Sequence, residues 1–364
     1  MDDTGPAAAR LVAAAVDEAH VASGAILATG RGADVDGVYV FGDNRDGPDA
    51  VPVTVDTSFD LASLTKVVST APAVLRLVDA GTLRLDDRVS HFLAEYKEGG
   101  KDSVTLRHLL THSAGLPAHR ELYRLPGAPE TLLSAAAREP LVAAPGTAVE
   151  YSDLGFILLG VIVAKAAGQD LDKAARELVF DPLGMHHTGY LPGPERVFAA
   201  TEPDPVTGVA AYGRVHDENA GALGGVAGHA GVFSTVGDLI RYLRLGWLDE
   251  DSGFLSEQSR GAATTCWTDG IGAGHGRRGL GWTLAGDRWD HMTAAWPRTR
   301  AGHTGFTGTS IAFDPVGKLW TVLLTNAVHH GRDHSGIVLL RRTVHAACAA
   351  WAQAHDRYHR AVEE

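Results

Sequence analysis

The pattern of apolar and polar residues changes from helical to strand-like and back along the chain. An amphipathic pattern predicts a first helix over residues 7–22. Two short apolar runs, at 24–28 and 38–42, are bounded by Gly- and Asp-containing loops and predict a β-hairpin. The next stretch, 63–80, is apolar on nearly all sides and stops at Gly81, which indicates a buried central helix. Pro72 predicts a local kink in that helix.

The rest of the chain reads as a helical middle followed by strands. Helical periodicity dominates residues 83–220 and is clearest at 106–112 and 151–167, and the Pro/Gly-rich segment 191–208 is typical of an ordered surface loop. Strand patterns return at 280–284, 309–313 and 319–325, before a final helix over 336–354.

This order of elements predicts one α+β domain over residues 1–364. We expect an antiparallel sheet flanked by the terminal helices, built from about 1–70 and 230–364. A mainly helical lobe would comprise about 71–229. A cleft between two such lobes is a usual place for an active site.

Composition narrows the possible partners. The chain is 45% apolar and 21% charged, as in a soluble enzyme, and its formal net charge of −12 disfavours nucleic acid. Cys266 and Cys348 lie far apart and predict two reduced thiols. No apolar run approaches the roughly 18–20 residues that span a bilayer, so we expect no membrane partner. The acidic start after Met1 lacks the features of a signal peptide and predicts a cytoplasmic protein.

Ser63 and Lys66 form a Ser-x-x-Lys motif at the start of the predicted central helix. Residues three apart share one helical face, with Cβ atoms roughly 5–6 Å apart. A lysine accepts a serine proton only when it is neutral, and burial and nearby positive charge would lower its pKa toward that state. The same tetrapeptide also suits a capping serine followed by a solvent-facing lysine, so alone it is a weak signal.

Tyr151 and His303 begin two further motifs. Tyr-Ser-Asp at 151–153 lies on a turn before a helical run, and a tyrosinate beside positive groups is a strong base. A packing tyrosine followed by Asp153 as a helix cap would explain the same residues. His-Thr-Gly at 303–305 lies in a glycine-rich late strand, where backbone N–H groups can pair with a substrate or form an oxyanion hole. A bulged strand is the alternative.

The three motifs together, in this order and context, resemble those of class C β-lactamases, D-amino-acid peptidases and β-lactamase-like esterases. Segments 106–116 and 231–235 are similar to further landmarks of that family. The resemblance covers nearly the whole chain. It implies a serine β-lactamase/DD-peptidase-like fold and an acyl-enzyme mechanism.

The resemblance also implies a role for each motif residue. Ser63 would be acylated while Lys66 and Tyr151 shuttle its proton. The N–H groups of Ser63 and Phe306 would form the oxyanion hole. His303 would line the pocket opposite Tyr151. The remaining substrate-binding residues implied by the resemblance are Asp153, which would face the substrate, Thr304 and Gly305.

Two positions depart from the family pattern. The usual lysine of the third motif is His303, a group mostly neutral at pH 7. The usual asparagine of the second motif is Asp153, which adds an anion. Both changes disfavour a substrate that carries a carboxylate. They suit a neutral ester, or a substrate with an ammonium group near the scissile bond.

The sequence therefore predicts a serine hydrolase that acts on a small acyl substrate, most simply an ester or amide, and needs no cofactor. Three alternatives stay open: a β-lactamase or D-amino-acid peptidase, an acyltransferase, and a non-enzymatic scaffold. The polar segment 215–229 could cover the cleft. Its side chains His216, Asp217, Glu218 and His229 could also suggest a metal, but their spacing matches no known site, so none is predicted.

Overall fold

The computed structural model describes residues 7–203, 207–272 and 276–363, with side chains as far as residue 355. The N-terminal residues 1–6 and part of the predicted loop, residues 204–206, lie outside the described residues. The α-helices are α1 (Ala7–Asp17), α2 (Ala71–Asp79), α3 (Leu106–Leu110), α4 (Pro129–Arg138), α5 (Asp153–Ala167), α6 (Leu171–Ala175), α7 (Glu218–Ala222), α8 (Val236–Leu243), α9 (Glu257–Thr264) and α10 (Ser335–Glu363). The strands are β1 (Gly24–Arg31), β2 (Asp34–Gly42), β3 (Phe59–Asp60), β4 (Gly189–Tyr190), β5 (Val232–Ser234), β6 (Thr283–Leu284), β7 (Ala301–Thr304), β8 (Ser310–Phe313) and β9 (Leu319–Thr325).

Strands from the two ends of the chain form one antiparallel sheet in the order β2-β1-β9-β8-β7-β6. The predicted hairpin is β1 and β2, and β1 pairs on its other side with β9, where Ala25 lies opposite Thr325. Helices α1 and α10 pack together on this sheet through buried apolar side chains such as Val12, Leu27 and Val344. The predicted α+β fold is confirmed.

The central helical stretch is irregular where a single helix was predicted over 63–80. A 3₁₀ turn (Ala62–Leu64) leads into a π-helical turn (Lys66–Thr70), and α2 begins only at Ala71. The irregularity thus precedes Pro72, which lies in the first turn of α2. Pro72 has no N–H for the carbonyl of Val67 five residues earlier, and the hydroxyl of Tyr242 donates to that carbonyl.

A second, small sheet brings the middle of the chain beside this stretch. Its strand order is β3-β5-β4, and β3 ends three residues before Ser63. Sequence reasoning did not predict these short strands. Helix α5 packs against the same stretch and is buried over most of its length. Among the described helices, none is by itself long and apolar enough to cross a bilayer. Cys266 and Cys348 are free thiols, as predicted.

Candidate active site

Ser63 lies on a sharp turn that β3 and β5 hold in place. Phe59 of β3 pairs with Ser234 of β5. Ala62, directly before the serine, has φ of 46°, a left-handed conformation that is uncommon for a residue with a side chain. The buried carboxylate of Asp60 accepts a hydrogen bond from the Ala62 N–H at 2.8 Å. Asp60 therefore stabilises the turn that presents Ser63.

Lys66 is fully buried and directly contacts Ser63. Its Nζ donates to Ser63 Oγ at 2.9 Å and to the carbonyl of His229 at 3.2 Å. It also lies 2.8 Å from Asp153 Oδ1. The structure thus brings together the serine and lysine of the first motif, and adds a carboxylate from the second.

Asp153 changes the charge expected on Lys66. Burial alone would lower the pKa of Lys66, but the charges and hydrogen bonds of Asp153 and Tyr151 outweigh it and raise that pKa. Burial would likewise raise the pKa of Asp153, yet Lys66 and His119 hold it well below its usual range. The expectation of a lysine poised to be neutral is therefore wrong, because the pair rests as ammonium and carboxylate.

The carboxylate of Asp153 is committed to this pair. Its Oδ2 lies 3.5 Å from Nδ1 of His119, a half-exposed histidine at the edge of the site. Both oxygens therefore contact side chains of the protein, Lys66 and His119, and Asp153 is not among the residues that line the cavity described below; that it faces the substrate stays a prediction. Its negative charge is offset by Lys66 and does not make the site anionic.

Tyr151 is held by the landmark segment around His112. The Ser152 N–H donates to His112 Nδ1 at 3.0 Å, and the Glu150 N–H donates to the His112 carbonyl at 2.9 Å. The His112 ring packs on the Tyr151 ring with centroids 4.6 Å apart. Burial and the nearby cations keep the pKa of His112 far below its ordinary value, so this histidine is a neutral support.

Lys66 also lies close to the ring of Tyr151. Its Nζ lies 5.0 Å from the centroid of the Tyr151 ring. The first and second motifs therefore meet at one place in the structure.

His303 lies on β7 across from Tyr151, with ring centroids 5.9 Å apart. It is buried, and burial together with the charges of Lys66 and Arg278 lowers its pKa to about 3. Its Nδ1 lies 2.9 Å from the carbonyl of Thr304, so this nitrogen carries the proton and donates. His303 is neutral at physiological pH, in line with the sequence-based interpretation.

Gly305 lets the third motif approach the nucleophile turn closely. A Cβ at this position would lie 2.2 Å from Thr309 Oγ1 and 2.4 Å from the carbonyl oxygen of Leu61. Only glycine fits there without movement of the backbone. Phe306, the candidate second oxyanion donor, follows directly.

We expect Gly305→Ala to lower both stability and activity, because the added methyl group must push β7 away from the Ser63 turn. Overpacking of this kind costs about 1–3 kcal/mol, measurable by denaturant unfolding. Gly237→Ala is the matched control, since a Cβ at Gly237 meets nothing within 4 Å. Equal stability and ester turnover for the two variants would contradict the close-packing argument.

Each of the three motifs contributes to the lining of one cavity of about 530 Å³. Its lining includes six predicted site residues: Ser63, Tyr151, His303, Thr304, Gly305 and Phe306. Four arginines also line it: Arg278, Arg288, Arg341 and Arg342. Sequence reasoning missed all four, because they lie outside the motifs and no local pattern marks an arginine that folds back toward a site.

The polar segment 215–229 lies beside the cavity. The His216 ring stacks on Phe306, with centroids 5.6 Å apart, and the His216 N–H donates to Asp60 at 2.7 Å. His229 Nε2 lies 2.8 Å from Asp217 Oδ1. These contacts place the segment against the candidate site, and its role as a cover over the cleft stays a prediction.

Comparison with known proteins agrees with this geometry. The β-lactamase family model matches residues 8–344. A protein of Escherichia coli (strain K12) named as a putative D-alanyl-D-alanine carboxypeptidase is 34% identical over 312 residues. The match covers 77% of this chain and 71% of that relative.

Solved structures share the fold. EstCE1, described as a hydrolase with promiscuous acyltransferase activity, has a TM-score of 0.74 at 24% identity and covers 94% of this chain and 97% of its own. A class C β-lactamase mutant has a TM-score of 0.74 at 24% identity, with coverage of 95% and 96%. The resemblance inferred from the three motifs is confirmed, and this chain belongs to the β-lactamase family of serine hydrolases.

Proposed function

We propose that this protein hydrolyses small esters or amides through an acyl-enzyme formed on Ser63. The observation that carries the proposal is the 2.9 Å contact between Ser63 Oγ and Lys66 Nζ, at a cavity that Tyr151 also lines. A serine needs a partner that takes its proton and a site that stabilises the resulting oxyanion. Tyr151 and Lys66 support the first requirement, and the backbone at Ser63 and Phe306 is our candidate for the second.

In the proposed acylation, Tyr151 in its ionised form accepts the Ser63 proton while Lys66 remains an ammonium group. Ser63 Oγ forms a bond to the substrate carbonyl carbon, and the carbonyl oxygen becomes an oxyanion that the N–H groups of Ser63 and Phe306 would stabilise. The bond to the leaving alcohol or amine then breaks, and that group takes the proton from Tyr151.

Water repeats the sequence in the second half of the reaction. Tyr151 takes a proton from water, and the hydroxide oxygen bonds to the acyl carbon. The ester bond to Ser63 then breaks as the serine takes the proton back from Tyr151. An alcohol or amine in place of water would give acyl transfer. The two outcomes differ only in the second acceptor.

Short-chain aryl esters test the acyl-enzyme directly. We expect a burst of phenol release and a mass increase of one acyl group on the peptide that contains Ser63. Steady turnover with the acyl group trapped on another residue would refute the assignment. Rapid quenching at mildly acidic pH keeps an ester adduct intact for the mass measurement.

A carboxylate-bearing D-amino-acid peptide is a second candidate substrate, favoured by the arginines of the cavity. Arg341 is buried, and burial lowers its pKa to about 9, so it is still a cation at neutral pH. It donates to the backbone carbonyls of Gly305 at 2.6 Å and Thr309 at 3.0 Å. Arg342 lines the same cavity. Since Lys66 neutralises the charge of Asp153, Asp153 does not repel the carboxylate of a substrate.

The name of the Escherichia coli relative points the same way. A pair of N-acyl-D-alanyl-D-alanine substrates, one with a free carboxylate and one with a C-terminal methyl amide, separates the two candidates. We expect a kcat/KM at least about tenfold higher for the free carboxylate, because one charge-assisted contact is worth on the order of 1.5 kcal/mol or more. Equal turnover of the two peptides, together with fast hydrolysis of aryl esters, would exclude specificity for a carboxylate and favour the ester hydrolase.

Asp153→Asn should shift the acidic limb of the kcat/KM profile to lower pH. Asp153 raises the pKa of Lys66, so its loss should lower the apparent pKa of the proton-accepting group in the rate profile. The rate profile from pH 5 to pH 9 measures the shift. Asp170→Asn, which breaks the exposed Asp170–Lys173 pair, is the control.

The thermal stability of Asp153→Asn should depend less on pH than that of wild type. The folded-state pKa of Asp153 is lowered, so its ion pair stabilises the wild type above the ordinary carboxyl pKa and is lost as the pH falls. We therefore expect Asp153→Asn to unfold at a lower Tm than wild type at pH 7, with a smaller gap at pH 3. An unchanged rate profile would contradict the electrostatic role given to Asp153.

A further inference from the structure

The third motif of this chain has lost a positive charge. The family pattern places lysine where this chain has His303. The structure keeps that histidine neutral, because burial and the charges of Lys66 and Arg278 lower its pKa, although its Nδ1–H donates a hydrogen bond to the carbonyl of Thr304. Lys66 would then be the one cation supplied by the motifs beside Tyr151.

Arg278 brings a second cation to the same tyrosine from outside the motifs. Its guanidinium carbon lies 5.7 Å from the centroid of the Tyr151 ring, close to the 5.0 Å of Lys66 Nζ. Only 3% of its side chain is exposed, and it lines the same cavity as Ser63 and His303. A guanidinium stays charged even when buried, which a histidine in this position does not.

Two neighbours fix the guanidinium in place. Arg278 donates to Thr283 Oγ1 at 2.9 Å and to Asp287 Oδ1 at 3.1 Å. Asp287 in turn accepts backbone N–H groups of Arg277 at 2.8 Å and Trp289 at 2.7 Å, which share its negative charge. Arg278 is therefore held in one position beside Tyr151. The negative charge of Asp287 is shared between Arg278 and two backbone N–H groups.

We propose that Arg278 is a positioning residue that supplies, beside Tyr151, the positive charge that the third motif lost with His303. The proposal rests on the proposed function, in which Tyr151 accepts the Ser63 proton. When that proton leaves Tyr151 and returns, the oxygen alternates between neutral and negative. Arg278 and Lys66 together stabilise the negative state.

The charges around Tyr151 are consistent with this role. The coupling between Tyr151 and each cation is mutual, and a negative Tyr151 favours the charged form of both Arg278 and Lys66. Among the described residues, the titratable or charged groups that also act on the two cations or pack on Tyr151 include His112 and His303, both held neutral. They also include Asp153 on Lys66, Asp287 on Arg278, and Arg288, which opposes the charge of Arg278.

The test compares three variants on a neutral aryl ester, so that loss of a contact to a substrate carboxylate plays no part. Arg278→Gln should move the apparent pKa of the kcat/KM profile up by about one unit, which lowers the rate about tenfold on the acidic limb. Arg278→Lys should keep the profile near that of wild type. Arg278→Gln combined with His303→Lys should move it back, because a cation then returns close to the ring from β7.

Thermal unfolding of every variant separates charge from folding. If Arg278→Gln fails to fold because Asp287 is left unpaired, the double variant Arg278→Gln/Asp287→Asn takes its place in the comparison. Rescue by His303→Lys supports the proposal, since a purely structural loss of Arg278 would not respond to a lysine on β7. An unchanged profile in a folded variant that lacks Arg278, or no rescue by His303→Lys, overturns it.

The two proposals fail in different ways. If wild type forms no adduct on Ser63, the proposed function itself is wrong. If wild type acylates Ser63 normally but its pH profile ignores the charge at position 278, only the role of Arg278 is wrong.

Discussion

Ser63→Ala should abolish ester hydrolysis, with a loss of kcat on the order of 10⁴-fold or more. The turn that carries Ser63 directs its hydroxyl to Lys66, and no bond to the acyl carbon can form once that oxygen is removed. Lys66 and Tyr151 would remain in place, so substrate binding should change far less than turnover. Steady-state kinetics and intact-mass labelling with a fluorophosphonate probe measure the two effects.

Ser58→Ala is the control for Ser63→Ala. Ser58 is also buried close to β3, but its hydroxyl has no hydrogen-bond partner among the described residues, so removing the oxygen should cost little. It should label and turn over substrate like wild type. Equal labelling of wild type and Ser63→Ala would eliminate Ser63 as the nucleophile.

The local patterns of the sequence located most of the site. Ser63 and Lys66 could be placed together because three residues of helix fix their separation, and the structure brings them into contact. The hairpin and β9 were predicted from strand patterns, and β9 was predicted with the same bounds that it has in the structure. The order of the three motifs then connected Tyr151 and His303 to the same cavity, although neither is near Ser63 in sequence.

Contacts between distant segments could not be predicted in this way. Asp153 was expected to face the substrate, yet it contacts Lys66, 87 positions away in the sequence. Arg278 resembles any other arginine until the fold places it against Tyr151. Such pairings depend on how the lobes pack, and no periodicity or spacing records them.

The charge of the active site could not be predicted from the motif residues for the same reason. A count of motif residues gives one lost cation at His303 and one added anion at Asp153, hence an anionic site. In the structure the anion is offset by Lys66, and arginines such as Arg278 and Arg341 line the cavity. The charge of the site therefore depends on a contact between two motifs and on arginines that lie outside them.

Tyr151→Phe should lower kcat/KM by about 10²- to 10⁴-fold, the range for loss of a general acid–base group. The ring would still pack on His112 and lie close to Lys66 and Arg278, so the fold should be preserved and Tm should change little. The substitution removes only the oxygen that exchanges the proton. The remaining activity should also lose the rise with pH that belongs to the coupled Lys66–Tyr151 pair.

Tyr123→Phe is the matched control, because the Tyr123 hydroxyl donates to Glu121 at 3.1 Å and does not line the cavity. A loss below about tenfold in Tyr151→Phe, with the pH profile intact, would reduce Tyr151 to a packing residue and leave Lys66 as the only proton acceptor next to Ser63. That outcome would require Lys66 to be neutral in the reactive state. Since Asp153 opposes this, Asp153→Asn should then accelerate the Tyr151→Phe variant, whereas it should do little if the proton passes through Tyr151 alone.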